Sequence, residues 1–395
     1  MKKIIILLIT LFFITGCKFY DEYKMPEEVT INLNDNIFEI YSNKTIKDLI
    51  KDTNADIINE DDILKTNKDG IKNTTINYKY NKREYKYDIS YTIEDKASPS
   101  IIRAPYYRST YQGEEINLCD ITTFIDNYDR NPTCSIDGNY DINEIGTYNL
   151  KYVFKDKFDN KSEKEFIFEV LSNYYSYEDD NYYYEDDNDY IDFKDIVSNY
   201  KNDDNMIGID VSSWQSEIDF NEVKNDGCEF VIMRVAVTVG DNGEIEIDNR
   251  YKENINKAKK AGLKVGVYLY TDSTKKEEII AQAKFVKKIL NKIKLDFPVA
   301  CDFEDFSNIN SHHINKHDLL TNVKKFEEII GYDVMIYGSS YYLNNAWELG
   351  DYPIWLAHYT EKTDYENDYI MWQLTNTGRI NGIYGNVDVD IYYKK

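Results

Sequence analysis

The stretch "FPVACDFE" runs through apolar and small residues into two carboxyl groups two positions apart, Asp302 and Glu304. In an extended chain, residues i and i+2 project to the same face, so a strand through this stretch aims both acids one way. A further acid, Asp210, stands in "GIDVSSWQ", and another, Asp388, in "GNVDVD". Carboxyl groups gathered at one place repel one another, which raises some of their pKa values and keeps an acid protonated near neutral pH. Pairs of that kind suit glycoside hydrolysis: one acid protonates the leaving oxygen and the other stabilises or attacks the sugar cation. Trp214, Tyr268, Tyr270, Tyr337, Trp355, Tyr359, Trp372 and Gln373 fall at or near the ends of apolar runs. Sugar rings have apolar faces, and a cleft lined by such side chains suits them.

These residues need elements to hold them. From Met206 the chain shows eight short apolar runs: "MIGIDVS", "FVIMRVAV", "KVGVYLY", "FPVACDFE", "DVMIYGS", "PIWLAHY", "YIMWQLT" and "VDVDIYY". Runs apolar on both faces predict a parallel sheet covered on both sides. Helical patterns separate the early runs, in "FNEVKND", "NRYKENINKAKKAG", "KKEEIIAQAKFVKKILNKI" and "HDLLTNVKKFEEIIG", with Gly262 and Gly331 where helices should stop. After the fifth run only "YYLNNAWELG" can be helical, and the last connections are too short for crossover helices. Eight strands with helices after the first five describe an α/β, truncated TIM-like (β/α)5(β)3 barrel over 206–395. In such a barrel, active-site groups gather at the carboxyl ends of the strands, and strands one and eight are neighbours. That arrangement brings Asp210 and Asp388 beside Asp302 and Glu304.

Other chemistry finds less support. His313 and His317 in "SHHINKH" have a spacing used by zinc sites, but Ile314 stands where a metalloprotease helix needs Glu. "YGSS" lacks the GxSxG of a nucleophile elbow. No CxxC pair is present, so no metal and no cofactor is implied. A buried ion pair would explain Asp302 and Glu304 only with nearby cations, and the strand ends supply Arg234 alone.

Taken in order, "GIDVSSWQSEIDF", "AKKAGLKVGVYLY", "FPVACDFE", "VMIYGS", "PIWLAHY", "MWQL" and "GIYGNVDVDIYY" resemble the successive motifs of glycoside hydrolase family 25, the lysozyme-type muramidases. The resemblance implies cleavage between N-acetylmuramic acid and N-acetylglucosamine in peptidoglycan glycan strands. It makes Glu304 the general acid, with Asp302 acting as nucleophile or orienting the substrate's 2-acetamido group. Asp210 and Asp388 would line the site, and Trp214, Tyr268, Tyr337, Trp355, Tyr359 and Gln373 would meet sugar. His358 and the ending "VDVD" with Asp390 depart from the pattern, outside the acidic set, and so does the loop "TVGDNGEIEID". A binding module without catalysis, or a hydrolase of another amino-sugar polymer such as chitin, shares much of this logic.

The rest of the 395 residues reads as delivery apparatus. Residues 1–16 have a basic start and an apolar run from Ile4 to Ile14, too short to span a bilayer and fit for export. The ending "ITGC" resembles a lipoprotein lipobox, which implies lipidation of Cys17, a tether over 17–26, and membrane attachment outside the cell. Residues 27–95 and 96–172 show short alternating runs separated by turn residues, as in an all-β sandwich. "IGTYNLKYVFKDKFDN" resembles bacterial Ig-like surface modules, and the earlier segment looks like a degenerate copy. Cys119 and Cys134 are placed to bridge in an exported protein, whereas Cys228 and Cys301 read as buried thiols. Residues 173–205 carry eleven Asp/Glu, two Lys and eight Tyr, which predicts a self-repelling, extended linker. The net charge of −24 argues against nucleic acid as a partner.

Overall fold

The computed structural model describes residues 28–172, 190–240 and 243–394. The export signal, Cys17 and the tether lie outside the described residues, as do 173–189 of the acidic segment. The chain forms two compact units, one ending at Lys96 and the other beginning at Ala97.

The first unit is largely β structure. Strands Gly70–Tyr80 and Arg83–Glu94 pair antiparallel along their length. The two residues between them, Asn81 and Lys82, both have positive φ (49° and 65°), the backbone of a tight hairpin turn. Alternation turns Ile76, Tyr78, Ile89, Tyr91 and Ile93 to the buried side. The helix-like "TIKDLIKD" is helical only over Ile46–Leu49 and then becomes the strand Ile50–Thr53. One turn of helix has too few hydrogen bonds to propagate, and pairing with Ile31–Leu33 takes the chain over.

The second unit is organised by a sheet that closes on itself. Its strands are β1 (Asn205–Val211), β2 (Phe230–Val239), β3 (Lys264–Tyr270), β4 (Val299–Asp302), β5 (Val334–Ser339), β6 (Ile354–Ala357), β7 (Met371–Arg379) and β8 (Val387–Tyr393). Neighbours from β1 to β7 run parallel, and β8 pairs antiparallel with both β7 and β1, closing the ring. The all-parallel expectation fails only at β8. The connection over residues 380–386 is too short to carry the chain back for a parallel entry, so it returns as a hairpin.

Alternation then sorts the residues. On β1, Ile207, Ile209 and Val211 join the apolar layer outside the ring, while Met206 joins Phe230, Ile232, Phe297, Met335 and Met371 within it. Gly208 is part of that inner packing, since a Cβ there would stand 2.5 Å from the Phe230 ring. Outside lie α1 (Phe193–Tyr200), α2 (Phe220–Asn225), α3 (Tyr251–Lys260), α4 (Lys276–Leu290), α5 (Lys316–Ile330) and α6 (Ser340–Asn345). The last five follow β1 to β5 in turn, as the sequence pattern requires. In α4 the buried residues Ile279, Gln282, Ala283, Val286 and Leu290 recur at helical spacing. Gly331 ends α5 in a left-handed conformation (φ 74°), where glycine is free of Cβ strain.

Two expectations need correction. The acidic segment is not linker throughout: Ile191–Asp192 pairs with β7, and α1 follows with Asp192 as its cap. Phe193 and Ile196 are buried in the outer apolar layer, and apolar burial of this kind favours the folded helix.

The β-rich segment from Ala97 is also not separate from the closed sheet. It carries a four-stranded sheet, with Thr133–Asp137, Gly146–Lys155, Lys161–Leu171 and Tyr107–Tyr111 in that order, and a two-stranded one of Ser100–Arg103 and Thr123–Ile125. Around its core of Phe154, Phe166 and Phe168, Cys119 and Cys134 form a disulfide. Ile102 and Ile125 bury in the apolar layer that surrounds the closed sheet. Polar contacts continue the seam: Arg130 grips Asp318 through Nε (2.7 Å) and Nη2 (2.6 Å), and Asn310 Nδ2 donates to Phe124 O (2.8 Å). Asn315 Nδ2 reaches Tyr128 O, and Lys316 N reaches Asp126 O, each at 2.8 Å.

Candidate active site

The carboxyl ends of β1 and β4 and the facing end of β8 bring four acids to one mouth. Asp210 and Asp388 are directly opposite in the β1–β8 pairing, as neighbouring first and last strands require. Asp302 is the last residue of β4, and Glu304 lies just beyond it, with Phe303 turned into the apolar layer between them. Asp302 is buried, its Oδ1 without a hydrogen-bond partner; Glu304 is half-buried.

Burial and mutual repulsion set the proton affinities. Burial raises the Glu304 carboxyl above the 4.5 of a free glutamate. Asp302 is pushed well above its ordinary value by burial and then by Glu304, while Arg234 pulls in the opposite direction. Asp388 is raised to about 6, chiefly by burial. Asp210 is raised by burial, then by Asp388 and Asp390. Four such groups cannot all be ionised together, so the mouth retains protons where free carboxyls have lost them.

The polar supports are specific. Gln373 Nε2 donates to Asp210 Oδ2 (2.7 Å), while its Oε1 accepts from Tyr337 (2.8 Å) and Tyr359 (3.0 Å). Tyr268 lies in the field of Asp210 and Asp302. Arg234 is held by Asp248 (Nε to Oδ2, 3.1 Å) and donates to Ser213 Oγ (3.1 Å). Asp248 thus fixes the guanidinium, which still lowers the proton affinity of Asp302. The departing loop after β2 explains Asp248: Glu244–Ile247 folds back on β2 as a hairpin, and the residue that follows lands under Arg234.

The aromatic residues divide. Trp214, in the turn after β1, is 82% exposed, and Tyr359 is also exposed; both offer a face to a ligand. Trp355 does not. It is 1% exposed, packed edge-on to Tyr337 and Tyr268, with Nε1 donating to Asp390, so it supports the site from beneath rather than meeting sugar. Trp372 faces outward and donates to His358 O. His317 lies near Glu348 and His313 is exposed on a left-handed turn, so the two do not form a ligand pair.

Sequence reasoning missed two acids. Asp248 has no local signal, because only the hairpin brings it to Arg234. Asp390 lies outside the acidic group read from the sequence, yet it is fully buried, one same-face step from Asp388 and diagonal to Asp210 across the β1–β8 pairing. The i, i+2 rule applied to Asp388 would have found it.

Residues 209–383 match the family model for glycosyl hydrolases family 25. The autolytic lysozyme of Clostridium acetobutylicum is 31% identical over 191 residues, which cover 47% of this chain and 55% of that protein. The uncharacterized protein YegX of Escherichia coli K12 is 27% identical over 190 residues, 47% of this chain and 68% of its own. A family 25 glycosyl hydrolase from Bacillus anthracis superimposes with a TM-score of 0.40 at 22% identity, covering 50% of this chain and 92% of that one. This chain therefore spans about half the length of the clostridial relative. The comparisons thus support a glycosyl hydrolases family 25 domain over residues 209–383, within the second unit.

Proposed function

We propose that this chain is a cell-surface N-acetylmuramidase that cleaves the β-1,4 bond between N-acetylmuramic acid and N-acetylglucosamine in peptidoglycan. The observation that carries the reading is the half-buried Glu304, whose hold on its proton is strengthened by burial, beside the buried Asp302. The closed sheet is read as a truncated TIM-like barrel and the β-rich segments as Ig-like modules.

In this mechanism Glu304 gives its proton to the glycosidic oxygen as the bond to the anomeric carbon breaks. The unpartnered Asp302 Oδ1 accepts the N–H of the substrate's 2-acetamido group, whose carbonyl oxygen bonds to the anomeric carbon to form an oxazolinium. Glu304, now ionised, takes a proton from the water that opens this intermediate. Asp210 and Asp388 hold negative charge around the sugar cation, and Trp214 and Tyr359 receive sugar faces.

The Cys119–Cys134 disulfide supports an exported location, and Cys17 is the proposed lipid attachment. Digestion of purified peptidoglycan by the full chain, wild type beside Glu304→Gln, tests the reading. New reducing ends on muramic acid from the wild type, reduced about 100-fold or more in the variant, are expected. Reducing ends on glucosamine would assign a different bond. No release by the wild type would leave a carbohydrate-binding protein.

A further inference from the structure

We propose that Asp390 and Asp210 form a carboxyl–carboxylate pair that shares one proton, with Asp390 as the positioning residue that fixes Asp210 at the floor of the site. The inference rests on reading the mouth as a glycosidase site, and it adds a residue to that site's machinery.

The geometry leaves few alternatives. Asp390 is wholly buried on β8, one same-face step below Asp388 and opposite both Gly208 and Gln373. Its Oδ1 accepts the Trp355 indole N–H at 2.8 Å. Its Oδ2 is buried and receives no N–H or conventional O–H donor among the described residues. Across the β1–β8 pairing Gly208 faces Asp390 and Asp210 faces Asp388, so the Asp210 and Asp390 carboxyls are diagonal neighbours on the same face, with no side chain on Gly208 to separate them. An ionised carboxylate only accepts, so two carboxyl groups bond to each other only when one carries a proton. Neither acid has an ion-pair partner among the described residues, and two bare charges side by side in a buried place would drive the side chains apart.

The rest of the network is built around the pair. Gln373 donates to Asp210 Oδ2 and is itself held by Tyr337 and Tyr359. Trp355 donates to the far oxygen of Asp390. Each carboxyl thus has one fixed N–H donor at its outer side and the shared proton between. The floor carries one negative charge instead of two, and Asp210 is clamped from two directions. The burial and neighbouring charge that raise both groups act in the same sense.

An amide in place of Asp390 supplies an N–H to Asp210 and a carbonyl to Trp355, and it leaves the floor with the same single charge. The experiment uses the full chain with Asp390→Asn and Asp390→Ala. Expected is a kcat on peptidoglycan within about threefold of wild type for Asp390→Asn, and about 10–100-fold lower for Asp390→Ala, with KM changed less. A loss in Asp390→Asn as large as in Asp390→Ala would overturn the proposal, because it would show that a charge at 390 is required. The second readout needs no substrate. At neutral pH, the infrared difference spectrum of wild type minus Asp390→Asn should contain the carbonyl stretch of one protonated carboxyl group. Its absence would equally overturn the shared proton. This measurement also stands if Asp390→Ala does not fold. Should wild-type enzyme release no reducing ends while the band is present, the muramidase reading fails and the proton pair survives.

Discussion

Gln373 donates its amide N–H to Asp210 at 2.7 Å, while its carbonyl oxygen takes the hydroxyls of Tyr337 and Tyr359. The two phenols fix which end of the amide faces the acid, since a flipped amide would oppose donor to donor. One side chain therefore links two aromatic residues of the mouth to the acid on β1.

Replacing Gln373 by Leu removes the donor to Asp210 and leaves two phenols without an acceptor. A hydrogen bond to a charged group contributes about 1.5–3 kcal/mol, so kcat should fall about 10–100-fold. Tyr359→Phe removes one of the two phenol contacts, at an exposed residue, and should cost less. Steady-state kinetics on soluble glycan fragments separates the two.

The pH profile should report Glu304. Its carboxyl is raised above 4.5 by burial, and the acid step needs it protonated, so kcat/KM should fall as pH rises through that raised value. Asp388 is raised to about 6, chiefly by burial and in part by Glu304, whereas burial is what raises Glu304. Asp388→Asn leaves that burial in place, so the alkaline limb set by Glu304 should stay where it is. A limb that moves to lower pH would show that the Asp388 charge also acts on the acid.

Trp214 is a test of binding alone. It is 82% exposed, so Trp214→Ala should leave the melting temperature unchanged. Loss of one stacked aromatic face, worth about 0.5–1.5 kcal/mol, should raise KM roughly two- to tenfold with kcat nearly constant. A fall in kcat with KM unchanged would mean that Trp214 acts on the transition state instead.

The seam between the β-rich segment and the closed sheet should behave as part of one folded unit. Asn310→Ala breaks its paired contacts with the Phe124 backbone and should cost about 1–2 kcal/mol, seen as a lowered denaturation midpoint with the slope preserved. Arg130→Ala should cost less, because the Arg130 guanidinium is 59% exposed. For the same reason a chain begun at residue 206 should be less stable than one begun at 97. It lacks α1, with Phe193 and Ile196, and uncovers the surface that Ile102 and Ile125 bury.

By itself the sequence determined whatever depends on local periodicity. Apolar runs bounded by turns set eight strands, the 3.6-residue pattern set the helices after the first five, and acids at strand ends marked Asp210, Asp302, Glu304 and Asp388. These features follow from alternation and helical spacing, which neighbours along the chain control. Tertiary structure alone decided the rest. The direction of β8 depended on how a short connection could close the ring. The burial of Trp355 depended on which residues filled the ring's interior, and Asp248 met Arg234 only because a hairpin folds back. Asp390 joined Asp210 by lying in the layer beneath the mouth, and the β-rich segment became part of the second unit because two isoleucines found an apolar surface beside α5 and α6. Each is a contact between residues far apart in the chain, set by packing and pairing that no local pattern encodes.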